Sequence, residues 1–220
     1  MTGISFMKEN GFYEDVARCG VVPVVVLDDP ADAVPLARAL EEGGLPAAEV
    51  TFRTAAAAEC ISLISRECPG VLVGAGTVLD LEQAKRAVDA GARYLVSPGT
   101  DRDVVEWALS ERVNVIPAGV TPTEITWLRN QGIDVTKFFP ANLFGGAKAI
   151  TALASVFVGH RFMPTGGVSR DNLGEYLSNP AVIAAGGTWM VKPALFADGD
   201  FSEVTRIARE ASERVSGIRS

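Results

Sequence analysis

The sequence predicts an α/β protein of the (β/α)8 TIM-barrel class, with one extra helix at its N-terminus. Three observations carry this expectation. A short apolar run, a glycine or proline, and an amphipathic stretch recur in that order along the chain. Eight such runs follow one another at about 25 residues each, the length of a strand plus the helix that returns the chain for a parallel neighbour. Eight parallel units close naturally on themselves, and 220 residues are sufficient for a compact version. An open doubly wound sheet is the competing arrangement.

The elements follow in order. Residues 1 to 18 read as the extra helix. The first strand is "VVPVVVL" from Val21, and "PADAVPLARALEEGG" is the helix after it. The second strand is "AAEVTF" from Ala47 and the third is "VLVGAGTV" from Val71. Asp80 then caps the helix "DLEQAKRAVDAG". "YLVSPG" from Tyr94 is the fourth strand, followed by the helix "DRDVVEWALSER". "NVIPAGV" from Asn114 is the fifth. Thr121-Pro122-Thr123-Glu124 supplies an N-cap threonine, a proline at the first helical position and a capping-box glutamate. "VTKFFP" from Val135, "RFMPTGGV" from Arg161 and "VIAAGG" from Val182 complete the eight. No linker or low-complexity segment interrupts residues 1 to 220, so one domain is expected.

Composition excludes several functions. The chain is 48% hydrophobic and carries a formal charge of -7 with a single histidine. That balance argues against nucleic acid, because no basic run tracks phosphates. The apolar runs are far shorter than a membrane span. The opening "MTGISFMKENGFYEDVARCG" lacks the apolar core of a signal peptide. Cys19, Cys60 and Cys68 are odd in number and lack CxxC spacing, which suits packing thiols in a reducing cytoplasm. A catalytic cysteine would want a histidine partner, and only His160 exists. One histidine also cannot build a metal-ligand cluster, so no metal is expected. Neither a Walker lysine motif nor a dinucleotide GxGxxG after the first strand is present.

The chemistry-bearing residues lie at strand ends. Side chains alternate faces along a strand. On the second strand Glu49, Thr51 and Arg53 share one face, and apolar Val50 and Phe52 share the other. Glu49 and Arg53 then point inward, either for chemistry or as an internal salt bridge. On the sixth strand Lys137 lies in a short β-favouring run ending at Pro140, on one face with Val135 and Phe139. An ammonium in such a setting is costly unless paired or used. Burial favours the neutral amine, and a neutral amine attacks carbonyls to form Schiff bases. A structural ion pair with Glu49 is the alternative. Glu49 would move the protons such chemistry requires. Arg53 presents a planar fork that suits a substrate carboxylate, and Thr77 offers a hydroxyl to the same group. The loops after strands seven and eight, "PTGGVS" and "AAGGTW", are rich in backbone donors, and in barrels these two loops often hold phosphate. Two close-packed turns are the alternative there.

"EVTFRT", "VGAGTVL", "VSPG", "KFFPA", "PTGGVS" and "GGTWM", in this order over essentially the whole chain, resemble the 2-keto-3-deoxy-6-phosphogluconate (KDPG)/2-keto-4-hydroxyglutarate aldolases. The resemblance implies a (β/α)8 fold, a homotrimer and a metal-free, cofactor-free class I aldol cleavage within the Entner–Doudoroff pathway. By position Lys137 resembles the Schiff-base lysine and Glu49 the general acid/base. Arg53, Thr77 and Thr165 resemble ligands of the pyruvyl carboxylate region, with Pro98 and Phe139 also contacting substrate. Gly166, Gly167, Gly187 and Thr188 resemble the phosphate cradle. The implied substrate is a phosphorylated keto sugar acid, cleaved to pyruvate and glyceraldehyde 3-phosphate. The carbon-4 epimer, 2-keto-4-hydroxyglutarate, and another phosphate-binding barrel isomerase or epimerase stay open as alternatives. The family commonly shows "FFPAE" and a fifth-strand "PG". Asn142 and Ala118 depart from these near the rim of the site, where they bear on substrate preference.

Overall fold

A computed structural model describes residues 6–219 of the chain. Eight strands are present among them: β1 (Val21–Val25), β2 (Ala47–Thr51), β3 (Leu72–Gly76), β4 (Tyr94–Val96), β5 (Asn114–Ile116), β6 (Val135–Phe138), β7 (Arg161–Pro164) and β8 (Ala185–Gly187). All of their pairings are parallel. Six form one curled sheet in the order β5-β4-β3-β2-β1-β8, and β6 pairs with β7 separately. Backbone contacts join the two sheets on both sides. Lys137 N donates to Pro117 O at 2.9 Å, and Gly119 N donates to Lys137 O at 3.0 Å. On the other side Phe162 N donates to Ala181 O at 2.7 Å, and Ile183 N donates to Phe162 O at 3.0 Å. Thr165 also bridges to Gly186 in parallel.

Helices α1 (Phe6–Glu9) and α2 (Phe12–Cys19) precede β1. The expected single helix over residues 1 to 18 is therefore broken at Asn10 and Gly11, where the Asn10 side chain accepts from Phe12 N at 3.0 Å. Residues 1–5 of that expectation lie outside the described part. Then α3 (Ala33–Glu42), α4 (Ala57–Glu67), α5 (Leu81–Asp89), α6 (Arg102–Ser110), α7 (Pro122–Asn130), α8 (Gly146–Val156), α9 (Leu173–Leu177) and α10 (Ser202–Arg219) alternate with the strands or follow them. Their starts are built as the sequence requires. Asp80 accepts from Gln83 N at 2.8 Å, Asp101 accepts from Val104 N at 2.9 Å, and Thr121 with Glu124 completes a reciprocal capping box. Ala57, Cys60, Ile61 and Ile64 form the buried stripe of α4, at the spacing of one helix face. These stripes pack on the outward strand residues, of which Val50 is fully buried.

The N-terminal helices lie at one end of the sheet. Phe12 packs on Tyr94 at the start of β4, with ring centroids 5.5 Å apart. Arg161, at the start of β7, lies 5.5 Å from the Tyr13 ring centroid. The Asn10 side chain donates to Asn114 Oδ1, at the start of β5, at 2.9 Å. The N-terminal helices thus pack against the N-terminal ends of β4, β5 and β7.

His160, just before β7, is 3% exposed, and its Nε2 lies 2.6 Å from Thr136 Oγ1. Burial, reinforced by the Arg129 and Arg161 charges and opposed by Asp134, lowers its pKa to about 4. Native His160 therefore stays neutral while the unfolded chain takes up a proton near pH 6.5. Stability is complete above that pH and is lost as pH falls towards 4, on the order of 3 kcal/mol for this group. His160→Gln is expected to flatten this part of the curve, read from urea midpoints at pH 7.5 and 4.5. An unchanged pH dependence would remove His160 from the account.

Candidate active site

Lys137 lies in the middle of β6 and is 5% exposed; Glu49 lies in the middle of β2 and is fully buried. Lys137 Nζ donates to Glu49 Oε1 at 3.1 Å. The same nitrogen lies 5.4 Å from the centroid of the Phe139 ring. Strand alternation explains why these groups meet. Both residues face inward from strands on different sides of the fold, while Val50 and Phe138 face the helices. Lysines 8, 85, 148 and 192 are all exposed, so Lys137 alone is desolvated.

Space for the carboxylate is made by β3. Glu49 pairs in register with Gly74, and Thr51 pairs with Gly76. A methyl group at Gly76 would sit 2.4 Å from Glu49 Oε1 and 2.6 Å from its Cγ, closer than real atoms approach. Glycine at this position is therefore what lets Glu49 fold upward towards Lys137. Glu49 Oε2 has no hydrogen-bond partner within the protein.

The remaining expected residues ring this pair. Arg53 lies beyond the end of β2, exposed, and its Nε donates to Thr77 Oγ1 at 3.2 Å. Glu49 takes Lys137 as its ion pair, so the alternative Glu49–Arg53 salt bridge is not the one formed. Thr77 has a left-handed φ of 55°, a strained conformation for a β-branched residue that turns its hydroxyl towards Arg53. Pro98 and Phe139 are half-buried at the ends of β4 and β6. Thr165 follows β7; it is 7% exposed, and its Oγ1 has no partner within the protein. A methyl group at Gly186 would approach that oxygen to 2.3 Å.

Gly166 and Gly167 have φ of 90° and 74°, which only glycine adopts without strain. The Thr165–Gly186 bridge brings this turn beside the end of β8, where Gly187 makes room for the Trp189 ring and Thr188 is exposed. Both glycine turns therefore lie together at the C-terminal end of the strands. Reading the strands alone did not single out Gly76, Gly186 or Tyr94. The run "GAGTV" held the signal for Gly76, because a small residue opposite an inward carboxylate leaves that carboxylate room.

A hollow of about 610 Å³ opens at the other end of the strands and is lined by Asp15, Arg18, Cys19, Glu41, Leu72 and Arg93 among others. It contains none of the residues expected to act. The convergence of a buried amine, a carboxylate and two glycine turns fixes the candidate site at the C-terminal end instead.

The sequence matches the KDPG and KHG aldolase family over residues 13–207. The chain belongs to that family. It is 49% identical over 203 residues to the 2-dehydro-3-deoxy-phosphogluconate aldolase of Treponema pallidum, an alignment spanning 92% of this chain and 97% of the relative. Among solved structures, it is similar to the 2-keto-3-deoxy-6-phosphogluconate aldolase of Zymomonas mobilis ZM4 with 3-phosphoglycerate. That match has a TM-score of 0.85 and 40% identity, and covers 92% of this chain and 95% of that one. The KDPG aldolase of Legionella pneumophila, with pyruvate captured at low pH as a covalent carbinolamine intermediate, matches with a TM-score of 0.86 and 35% identity. It covers 90% of this chain and 96% of that one. Members of the family are aldolases, and so lyases.

Gly76→Ala tests the space argument. The backbone there tolerates alanine, so the variant is expected to fold. Its methyl displaces the carboxylate, and turnover is expected to fall by about 10²-fold, the lower end of what general acid–base catalysis contributes. Wild-type turnover in a folded Gly76→Ala protein would show that the position of Glu49 is not critical.

Proposed function

We propose that the chain is a class I aldolase that cleaves 2-keto-3-deoxy-6-phosphogluconate to pyruvate and glyceraldehyde 3-phosphate. One observation carries this reading: the only desolvated lysine is hydrogen-bonded to a buried carboxylate at the open end of the strands. The names of the relatives agree with it, and the carbinolamine in the Legionella pneumophila protein is the intermediate such a lysine forms.

The steps follow from the geometry. Across the 3.1 Å hydrogen bond, Lys137 passes a proton to Glu49 Oε1 and becomes a neutral amine. The amine attacks the keto carbon C2 to give a carbinolamine. Glu49, now protonated, returns its proton to the carbinolamine hydroxyl, which leaves as water. The resulting iminium draws the electrons of the C3–C4 bond towards nitrogen. Glu49 removes the C4 hydroxyl proton, directly or through one water, as the aldehyde departs. Protonation of the enamine at C3 and hydrolysis release pyruvate and restore the amine. Arg53, Thr77 and Thr165 hold the carboxylate end, with Pro98 and Phe139 against the substrate. Gly166, Gly167, Gly187 and Thr188 hold the phosphate through backbone donors.

On this reading the two sheets close into a (β/α)8 barrel within one domain, supported by the backbone bridges on both sides of the β6–β7 pair. A homotrimer and a cytoplasmic location complete the proposal. Three buried cysteines without disulfides suit a reducing compartment. Among the described residues, no helix is long and apolar enough to cross a membrane.

An isomerase or epimerase shares the glycine turns but needs no imine. Pyruvate with borohydride separates the two. A covalent mass increase is expected, mapping to Lys137 alone; an adduct mainly elsewhere, or none, overturns the class I reading. Glu49→Gln is expected to lower turnover by about 10²–10⁴-fold while some trapping persists. Lys137→Ala should abolish trapping, and adding Glu49→Gln to it should cost little more, because both act in one sequence of steps. Near-normal turnover in Glu49→Gln would make Glu49 a structural partner only.

A further inference from the structure

Tyr94 takes no part in the imine steps, yet it occupies an unusual place. It opens β4, is 1% exposed, and its hydroxyl has no hydrogen-bond partner within the protein. Buried hydroxyls are nearly always partnered, so each exception needs a physical reason.

The location supplies one. Tyr94 Cζ and Cε1 each lie 2.4 Å from where a methyl at Gly74 would be, so one edge of the phenol ring covers Gly74. Gly74 is the register partner of Glu49, and two residues on, Gly76 yields its space to the Glu49 carboxylate. The two inward glycines of β3 are thus filled from either side, by the phenol and by the carboxylate above it. The second orphan of this layer is Glu49 Oε2. A buried donor and a buried acceptor, both without partners, flank the same strip of glycine backbone. They provide two of the partners that an ordered interior water requires. From below, Phe12 packs on the Tyr94 ring. The titratable groups facing this layer are Glu49 from β2, Lys137 from β6 and Cys19 from the end of α2. Burial first, and then the Glu49 charge, push the Tyr94 pKa well above its ordinary value, which keeps the group an O–H donor.

We propose that Tyr94 is a positioning residue for Glu49. Its O–H, through one bridging water, supplies a hydrogen bond to Oε2 that holds the carboxylate against Lys137. This rests on Glu49 being the proton carrier of an imine aldolase.

Tyr94→Phe keeps the ring and removes only the hydroxyl. Trapping of pyruvate on wild-type Lys137 is read first and tests the imine reading by itself. In the variant, trapping is expected to persist, while kcat falls about tenfold at little change in KM, the scale of one lost hydrogen bond to a charged group. In a Glu49→Gln background the same change should lower turnover no further. The urea midpoint, which needs no catalysis, is expected to stay or fall. A raised midpoint would mean the hydroxyl is a true orphan whose removal stabilises the fold, and would overturn the proposal. So would a wild-type kcat in a variant that traps pyruvate normally.

Discussion

The hydrogen-bonded pair of Lys137 and Glu49 is the constraint around which the inner face of the sheet is built. Two opposite charges 3.1 Å apart, both desolvated, make a poor device for stability. Moving each from water costs several kcal/mol, and their attraction returns this only when every remaining lone pair is satisfied. Glu49 Oε2 is not satisfied within the protein. An apolar pair of similar volume would hold β2 and β6 at least as well, so stability alone does not account for these two residues. On the proposed reading, the pair provides an amine and a proton acceptor held at fixed distance away from bulk water, where proton transfer between them needs little rearrangement.

Fixing that pair demands room, and the strands supply it through small residues set against large ones. Gly74 yields to the Tyr94 ring, Gly76 to the Glu49 carboxylate, Gly186 to the Thr165 hydroxyl and Gly187 to the Trp189 ring. Each of these glycines lies on or beside a strand, where it forfeits β-propensity. The loss is accepted on β3 and β8, the strands that flank β2 and β1 in the sheet, and it makes room for the polar layer of the inner face. Below that layer, Phe12 and Tyr13 from α2 close the end of the sheet. Stability is thereby assigned to the N-terminal ends of the strands and chemistry to the C-terminal ends.

Much of this was legible in the sequence, and the boundary of legibility has a physical origin. Period-two alternation placed Glu49 inward because apolar Val50 and Phe52 share the opposite face, and it set Lys137 on one face with Val135 and Phe139. Short-range capping chemistry gave the starts of the helices at Asp80 and Thr121. What alternation cannot reveal is which inward residues on different strands meet, because this depends on register across the sheet. The Glu49–Gly74 pairing, and with it the place of Tyr94, is a property of strand stagger that no single strand encodes. The break at Asn10 and Gly11 escaped for a different reason: a side-chain bond to the backbone competes locally with the helix, and helical patterning on either side conceals it. The joining of the β6–β7 pair to the six-stranded sheet is likewise carried by a few backbone contacts outside the regular strands, where propensity is silent.

The departure at Asn142 acquires a meaning from the same geometry. Asn142 N donates to Gly166 O at 3.2 Å, and Ala141 N donates to Thr165 O at 2.8 Å. A methyl at Gly167 would collide with the Asn142 side chain, 2.4 Å from its Cγ. The segment that leaves β6 is therefore locked onto the glycine turn that leaves β7. β6 carries Lys137, and the turn is the proposed phosphate cradle. On the proposed reading, a phosphate held by that turn is registered, through two backbone hydrogen bonds, on the strand whose amine would attack the other end of the same substrate. Binding energy from the remote phosphate is then available to orient the keto carbon, because the intervening protein cannot absorb it by bending. The neutral amide of Asn142 adds no negative charge beside the proposed dianion site, where a carboxylate would oppose phosphate binding. Its effect on substrate preference should therefore enter through the phosphate end, leaving the imine chemistry at Lys137 unchanged.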